Sequence, residues 1–185
     1  MNRRLAGFAI PFVMTMTVAV LSAMPPAAAL DLPTRKAGLW ELRMEFAGRN
    51  LPAQVMRQCT DAATDKMMNL NFGGSNEKAC SKNDVSMSGG AITVDSVCKF
   101  GDATTTSHAV VSGSFDSAYK VDVTSTRTGG RALPGVAPGA ATHMTIAGKW
   151  LGPCAAGQKP GDVIMANGMK MNVLDLQRLS GRPQR

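Results

Sequence analysis

Leu39-Trp40-Glu41-Leu42-Arg43-Met44-Glu45-Phe46 decides the fold. It puts Trp40, Leu42, Met44 and Phe46 on one face and Leu39, Glu41, Arg43 and Glu45 on the other. Successive side chains of a strand point to opposite faces, so this alternation predicts a half-buried β-strand.

The same period continues outward from that stretch. Ala53 to Cys59 predicts a second strand after the turn at Gly48–Pro52. Asp61 to Leu70 reads as a short helix capped by Thr60 or Asp61, and Phe72 to Lys82 reads as a loop marked by Gly73-Gly74-Ser75-Asn76. Strands resume at Asp84–Ser88 and, after Gly89-Gly90, at Ala91–Phe100, where Ile92, Val94, Cys98 and Phe100 share a face. Ala103–Gly113 follows with Ala109 and Val111 inward. Ala118–Arg127 sets Tyr119, Val121 and Val123 against Lys120, Asp122 and Thr124. Thr128 to Ala141, rich in glycine and proline, predicts a loop. Thr142–Leu151 closes the series with Met144, Ile146 and Trp150 on one face. Asn167-Gly168, between Val163-Ile164-Met165 and Met169-Lys170-Met171, marks a small appended hairpin. Val173 to Leu179 suggests a helical turn, and 180–185 a disordered tail. The expected fold is mainly all-β. It is an antiparallel meander of about seven strands curled into a barrel or half-barrel, with one short helix and a small C-terminal hairpin. A membrane-spanning barrel would want an even strand count and two aromatic girdles, for which the aromatics are too few.

The chain has 185 residues, 44% of them hydrophobic and 5% aromatic. That excludes a disordered chain, a collagen-like repeat and a large multidomain enzyme. Asn2, Arg3 and Arg4, the apolar run Leu5–Leu21, and Ala27-Ala28-Ala29 after Pro25-Pro26 predict a signal peptide over 1–29, with Leu30 as the mature N-terminus. Residues 30–179 then form one β-rich domain without a membrane span, in the periplasm or secreted. The mature chain keeps a net charge of +5, spread along its length. Scattered cations without a nucleic-acid motif describe a solvated surface, not a nucleic-acid footprint.

Cys59, Cys80, Cys98 and Cys154 all lie beyond the signal, so two disulfides are expected in an oxidising compartment. Three connectivities are open. Pairing of the last meander strand with the first would bring Cys59 to Cys154 at one rim and Cys80 to Cys98 at the mouth of one hairpin. The rival, Cys59–Cys80 with Cys98–Cys154, would staple the helix locally.

Lys36-Ala37-Gly38-Leu39-Trp40-Glu41, Gln58-Cys59 and Gly148-Lys149-Trp150-Leu151-Gly152-Pro153-Cys154 resemble a family of exported bacterial proteins catalogued as domain of unknown function 3617. The resemblance spans Lys36 to Asp162. It departs at Ala37, where the family commonly has proline. It implies an exported β-rich domain and carries no activity or catalytic residues.

The chemistry-bearing motifs are few. His108 and His143 fall on outward faces among threonines. The chain contains no G-x-S-x-G elbow, phosphate-binding glycine loop or H-E-x-x-H. No catalytic residue, cofactor or metal site is assigned, and the reading leans away from an enzyme. The leading expectation is a binding module for a small apolar ligand or acyl chain. Its pocket candidates are the inward set Trp40, Leu42, Met44, Phe46, Ile92, Val94, Tyr119, Val121, Met144, Ile146 and Trp150. An alternative is an envelope interaction protein using the 128–141 loop. A minor alternative is a copper(I)-binding protein, since thioethers are soft ligands, with Met165, Met169 and Met171, or His143 and Met144, as donors.

Overall fold

The computed structural model describes residues 33–72, 79–132 and 134–180. The expected signal peptide, the glycine-rich stretch 73–76, Leu133 and the tail beyond Ser180 lie outside the described residues. The strands are β1 (Gly38–Phe46), β2 (Gln54–Thr60), β3 (Cys80–Ser88), β4 (Ala91–Phe100), β5 (Ala103–Ser114), β6 (Ala118–Thr128), β7 (Ala141–Gly152), β8 (Asp162–Met165) and β9 (Lys170–Asn172). The helices are α1 (Ala62–Phe72) and α2 (Val173–Ser180).

The nine strands of the described residues belong to one antiparallel sheet in the order β3-β4-β5-β6-β7-β1-β2-β8-β9. β3 to β7 is the expected meander. The first strand then inserts between the last meander strand and β2, with Trp40 opposite Trp150 and Phe46 opposite Met144. The expected hairpin is β8–β9, which extends the sheet beyond β2. Among the described residues β3 and β9 each pair on one side only, so the sheet is an open half-barrel and not a closed barrel. β3 begins at Cys80, inside the stretch expected to be loop. Cys80-Ser81-Lys82-Asn83 has no apolar alternation, and its pairing follows from register with Cys98 on β4.

Local chemistry supports each end. Asp61 caps α1: its Oδ1 accepts from Thr64 N at 2.8 Å, and Thr64 Oγ1 accepts from Asp61 N at 3.0 Å. This is a reciprocal cap that satisfies two otherwise orphaned amides. The cap's amide bond and the Thr64 hydroxyl hold the Asp61 carboxyl below its ordinary pKa. Two disulfides lock the sheet. Cys80–Cys98 clamps the β3–β4 hairpin at its open end, and Cys59–Cys154 ties β2 to the segment after β7 across the end of β1. The pairing that follows from β1 joining β7 is therefore the one present.

Burial is concentrated near β1 and β2. Trp40, Leu42, Cys59, Met68 and Val163 are buried there, with Ile92 and Ala103 as outlying points in the meander. α1 packs against β2 and α2, and α2 against β9, so the helices sit at that end of the sheet.

Candidate functional site

Strand register places the eleven inward candidates on one face. Directly opposed residues share a face, and the ladders link Ile92 to Val111 to Val121 to Ile146 to Met44. A parallel row links Val94, Ala109, Val123, Met144 and Phe46. Trp40, Leu42 and Ile92 are buried, while Met44, Phe46, Val94, Tyr119, Val121, Met144, Ile146 and Trp150 are half-buried. Thus the apolar face is filled under β1 and only partly covered over β4 to β7. Trp40 and Trp150 are register partners, and both indoles donate to the segment before β1. Trp40 donates to the Lys36 carbonyl at 2.8 Å and packs on Tyr119 at 5.5 Å between ring centres, while Trp150 donates to the Ala37 carbonyl at 3.2 Å under the Lys36 ammonium.

One end of this face holds a buried polar cluster that the sequence did not announce. Arg35 is 5% exposed and Asp65 is wholly buried. Arg35 Nε meets Asp65 Oδ1 at 2.6 Å, and its backbone N donates to Asp65 Oδ2 at 2.7 Å. Arg35 Nη2 donates to Gln58 Oε1 at 3.0 Å and Nη1 to the Tyr119 hydroxyl at 3.3 Å. A buried ion pair persists only when its remaining hydrogen-bonding capacity is met, and here α1, β2 and β6 each supply a partner. Burial pushes the Tyr119 hydroxyl above its ordinary pKa, against the pull of Arg35. The cluster docks α1 onto the sheet.

At the opposite end of the face stands Arg127. Its register with Thr105, itself opposite Cys98, puts it on the same face as Val121 and Val123. The alternation Tyr119, Val121, Val123, Ser125, Arg127 is the signal that could have found it. A cavity of about 180 Å³ opens there, lined by Arg127, Gly129, Gly130, Arg131, Val136 and Pro138 among others. Its walls are the 128–141 loop, which folds back on the sheet: Gly139 N donates to the Arg127 carbonyl at 3.1 Å, and Arg49 Nη2 donates to the Pro134 carbonyl at 2.9 Å.

The polar face carries the histidines. Asp95, His108, Thr124 and His143 form one cross-strand row over β4 to β7. His108 Nδ1 lies 2.8 Å from Asp95 Oδ1, and His143 Nδ1 shares a hydrogen bond of 3.1 Å with the Thr124 hydroxyl. His143 and its neighbour Met144 point to opposite faces, as adjacent strand residues must, so they cannot serve together as ligands to one ion. The hairpin methionines fare differently. Met165 is opposite Met56, and Met165 N donates to the Met169 carbonyl at 2.9 Å, so three methionines follow one another across β2, β8 and the turn before β9. Met171 lies opposite Val163. Among the described residues no group of three His, Cys, Asp or Glu is placed to hold a metal ion, and no helix is long and apolar enough to cross a membrane.

A family model described as protein of unknown function (DUF3617) matches residues 35–154, the stretch from the buried arginine to the last cysteine. Neither the curated proteins nor the solved structures contain a significant match to the chain.

Proposed function

We propose, from the premise that this chain belongs to the DUF3617 family, that it is an exported binding module for a small apolar ligand or acyl chain. One observation carries the reading. The helices pack at the β2 and β9 end, while Val94, Val111, Val121, Val123, Met144 and Ile146 stay half-buried on a continuous apolar face. Apolar surface exposed as a contiguous patch, not as scattered residues, marks a binding area. The two disulfides accord with an oxidising compartment such as the periplasm or the extracellular space.

The test is a titration of the mature protein with the neutral fluorescent probe N-phenylnaphthylamine, alongside mass spectrometry of an organic-solvent extract. Enhanced probe fluorescence that weakens at least about tenfold in Val121→Asp, which buries a charge in the patch, supports the reading. Absence of both probe binding and extractable lipid overturns it.

The envelope-partner reading relies on a free 128–141 loop. Hydrogen bonds from Gly139 of that loop to the Arg127 carbonyl, and from Arg49 to the Pro134 carbonyl, engage it within the chain, which favours the binding module. A second reading, copper(I) binding, is supported by the Met56, Met165 and Met169 row. Native mass spectra of the protein with copper(I) test it: a single bound ion, lost when Met165 becomes leucine, is the supporting result.

A further inference from the structure

The Arg127 cavity has chemistry that the apolar face lacks. Arg127 Nε is buried and has no hydrogen-bond partner. No carboxylate pairs with this guanidinium among the described residues. Buried donors are almost always satisfied, and leaving one unmet costs stability, so an orphan of this kind calls for an acceptor. The lining brings a second cation, Arg131, and no acid. Gly130 packs closely against the guanidinium: a Cβ there would stand 3.0 Å from Arg127 Nη2 and 2.8 Å from Ala103 Cβ, so only glycine leaves that edge clear of a side chain. The Nε–Nη2 edge is one of the two edges through which arginine grips a carboxylate with two parallel hydrogen bonds. Apolar walls from Val136, Ala137 and Pro138 complete the cavity.

Arg127 also ends the apolar row of its own strand. Val121, Val123, Ser125 and Arg127 succeed one another on one face, with Val123 about 13 Å and Val121 about 20 Å from Arg127 along the strand. We infer that the ligand is an amphiphilic carboxylic acid, its carboxylate held by Arg127 with Arg131 at the rim and its chain lying on the Val121–Val123 face. This rests on the binding-module reading and adds the ligand's head group to it. The cavity takes the head and the first carbons, and the half-buried valines take the rest. A carboxylate held there would satisfy Nε and offset the charge of a lining that contains two cations and no acid.

Competition against bound N-phenylnaphthylamine tests the inference, with decanoate, decanol and inorganic phosphate as competitors on the mature protein. Decanoate should displace the probe at least about tenfold more effectively than decanol, the factor expected for a charge-assisted hydrogen-bonded pair. Arg127→Gln should abolish that preference, and Arg131→Gln at the exposed rim should reduce it by a smaller factor. The acid-to-alcohol comparison on the unaltered protein keeps the test decisive even where Arg127→Gln fails to fold. Equal competition by decanol and decanoate overturns the carboxylate site and leaves the apolar binding module standing. Phosphate competing as well as decanoate overturns the assignment to an amphiphile. If the probe does not bind and the solvent extract holds no lipid, both readings fall.

Discussion

Tyr119 lies across Gly148, its direct partner on β7, and its ring fills the space a Cβ on that glycine would need. From that position its hydroxyl reaches Arg35, and its ring packs against Trp40 and Phe115. Gly148→Ala should therefore cost ~1–3 kcal/mol, as other insertions into a packed site do. Urea unfolding checks this, and the unfolding midpoint should fall without a change in slope. A shift near zero would mean that the ring can move aside freely.

Trp40→Ala should cost ~3–5 kcal/mol, since the indole is fully buried and its removal leaves a cavity beside Tyr119. Trp150→Ala should cost clearly less, because that indole is only half-buried. Comparison of the two midpoints checks the order.

The disulfides should contribute unequally. Cys59–Cys154 spans 95 residues and Cys80–Cys98 spans 18. Loop-entropy models give ~4.7 and ~3 kcal/mol for loops of those lengths. Replacing both members of each pair by serine should lower stability more for the long bridge, and non-reduced peptide mapping should recover both native pairs.

Asp162 should give the fold an acid-labile element. Its burial opposes the charge, yet Asn172, Lys170 and the Lys159 amide all bond the carboxylate and bring its pKa below the ordinary value. A carboxyl whose folded pKa is depressed contributes stability above its unfolded pKa, and that contribution is lost as pH falls through the folded value. Asp162→Asn should cost ~1–3 kcal/mol at neutral pH. The difference from the parent should shrink as pH drops below the carboxylate range, as urea midpoints across pH would record.

Exported protein should begin at Leu30, following Ala27-Ala28-Ala29. Intact-mass measurement of the secreted or periplasmic fraction checks this; a chain that retains Met1 would contradict it.

The legible part of the fold was the part where one face is buried and the other wet. β1 alternates cleanly because the core removes one face from water, and the first half of β6 alternates although its apolar face is only half-buried. From β1 pairing with β7, the bridges followed. β3 was the opposite case, since its first four residues carry no apolar signal and are set by their partner strand. Arg35 was invisible for a related reason. A charged residue just before a strand reads as exposed, and only Asp65, thirty residues further on, makes its burial tolerable. Arg127 was within reach, because two more steps of the Tyr119–Val121–Val123 alternation arrive at it.

The nesting of the bridges also shapes maturation. Cys59 must find Cys154 across 95 residues, with Cys80 and Cys98 between them. Cys80 is its nearest thiol in sequence, and a bond between them is one the finished sheet does not contain. Such a bond can be undone only by attack of another thiolate. Maturation of this chain is thus expected to be governed by how fast sulfurs are exchanged, not by how fast they are oxidised. Yield should then respond to a disulfide isomerase more than to additional oxidant.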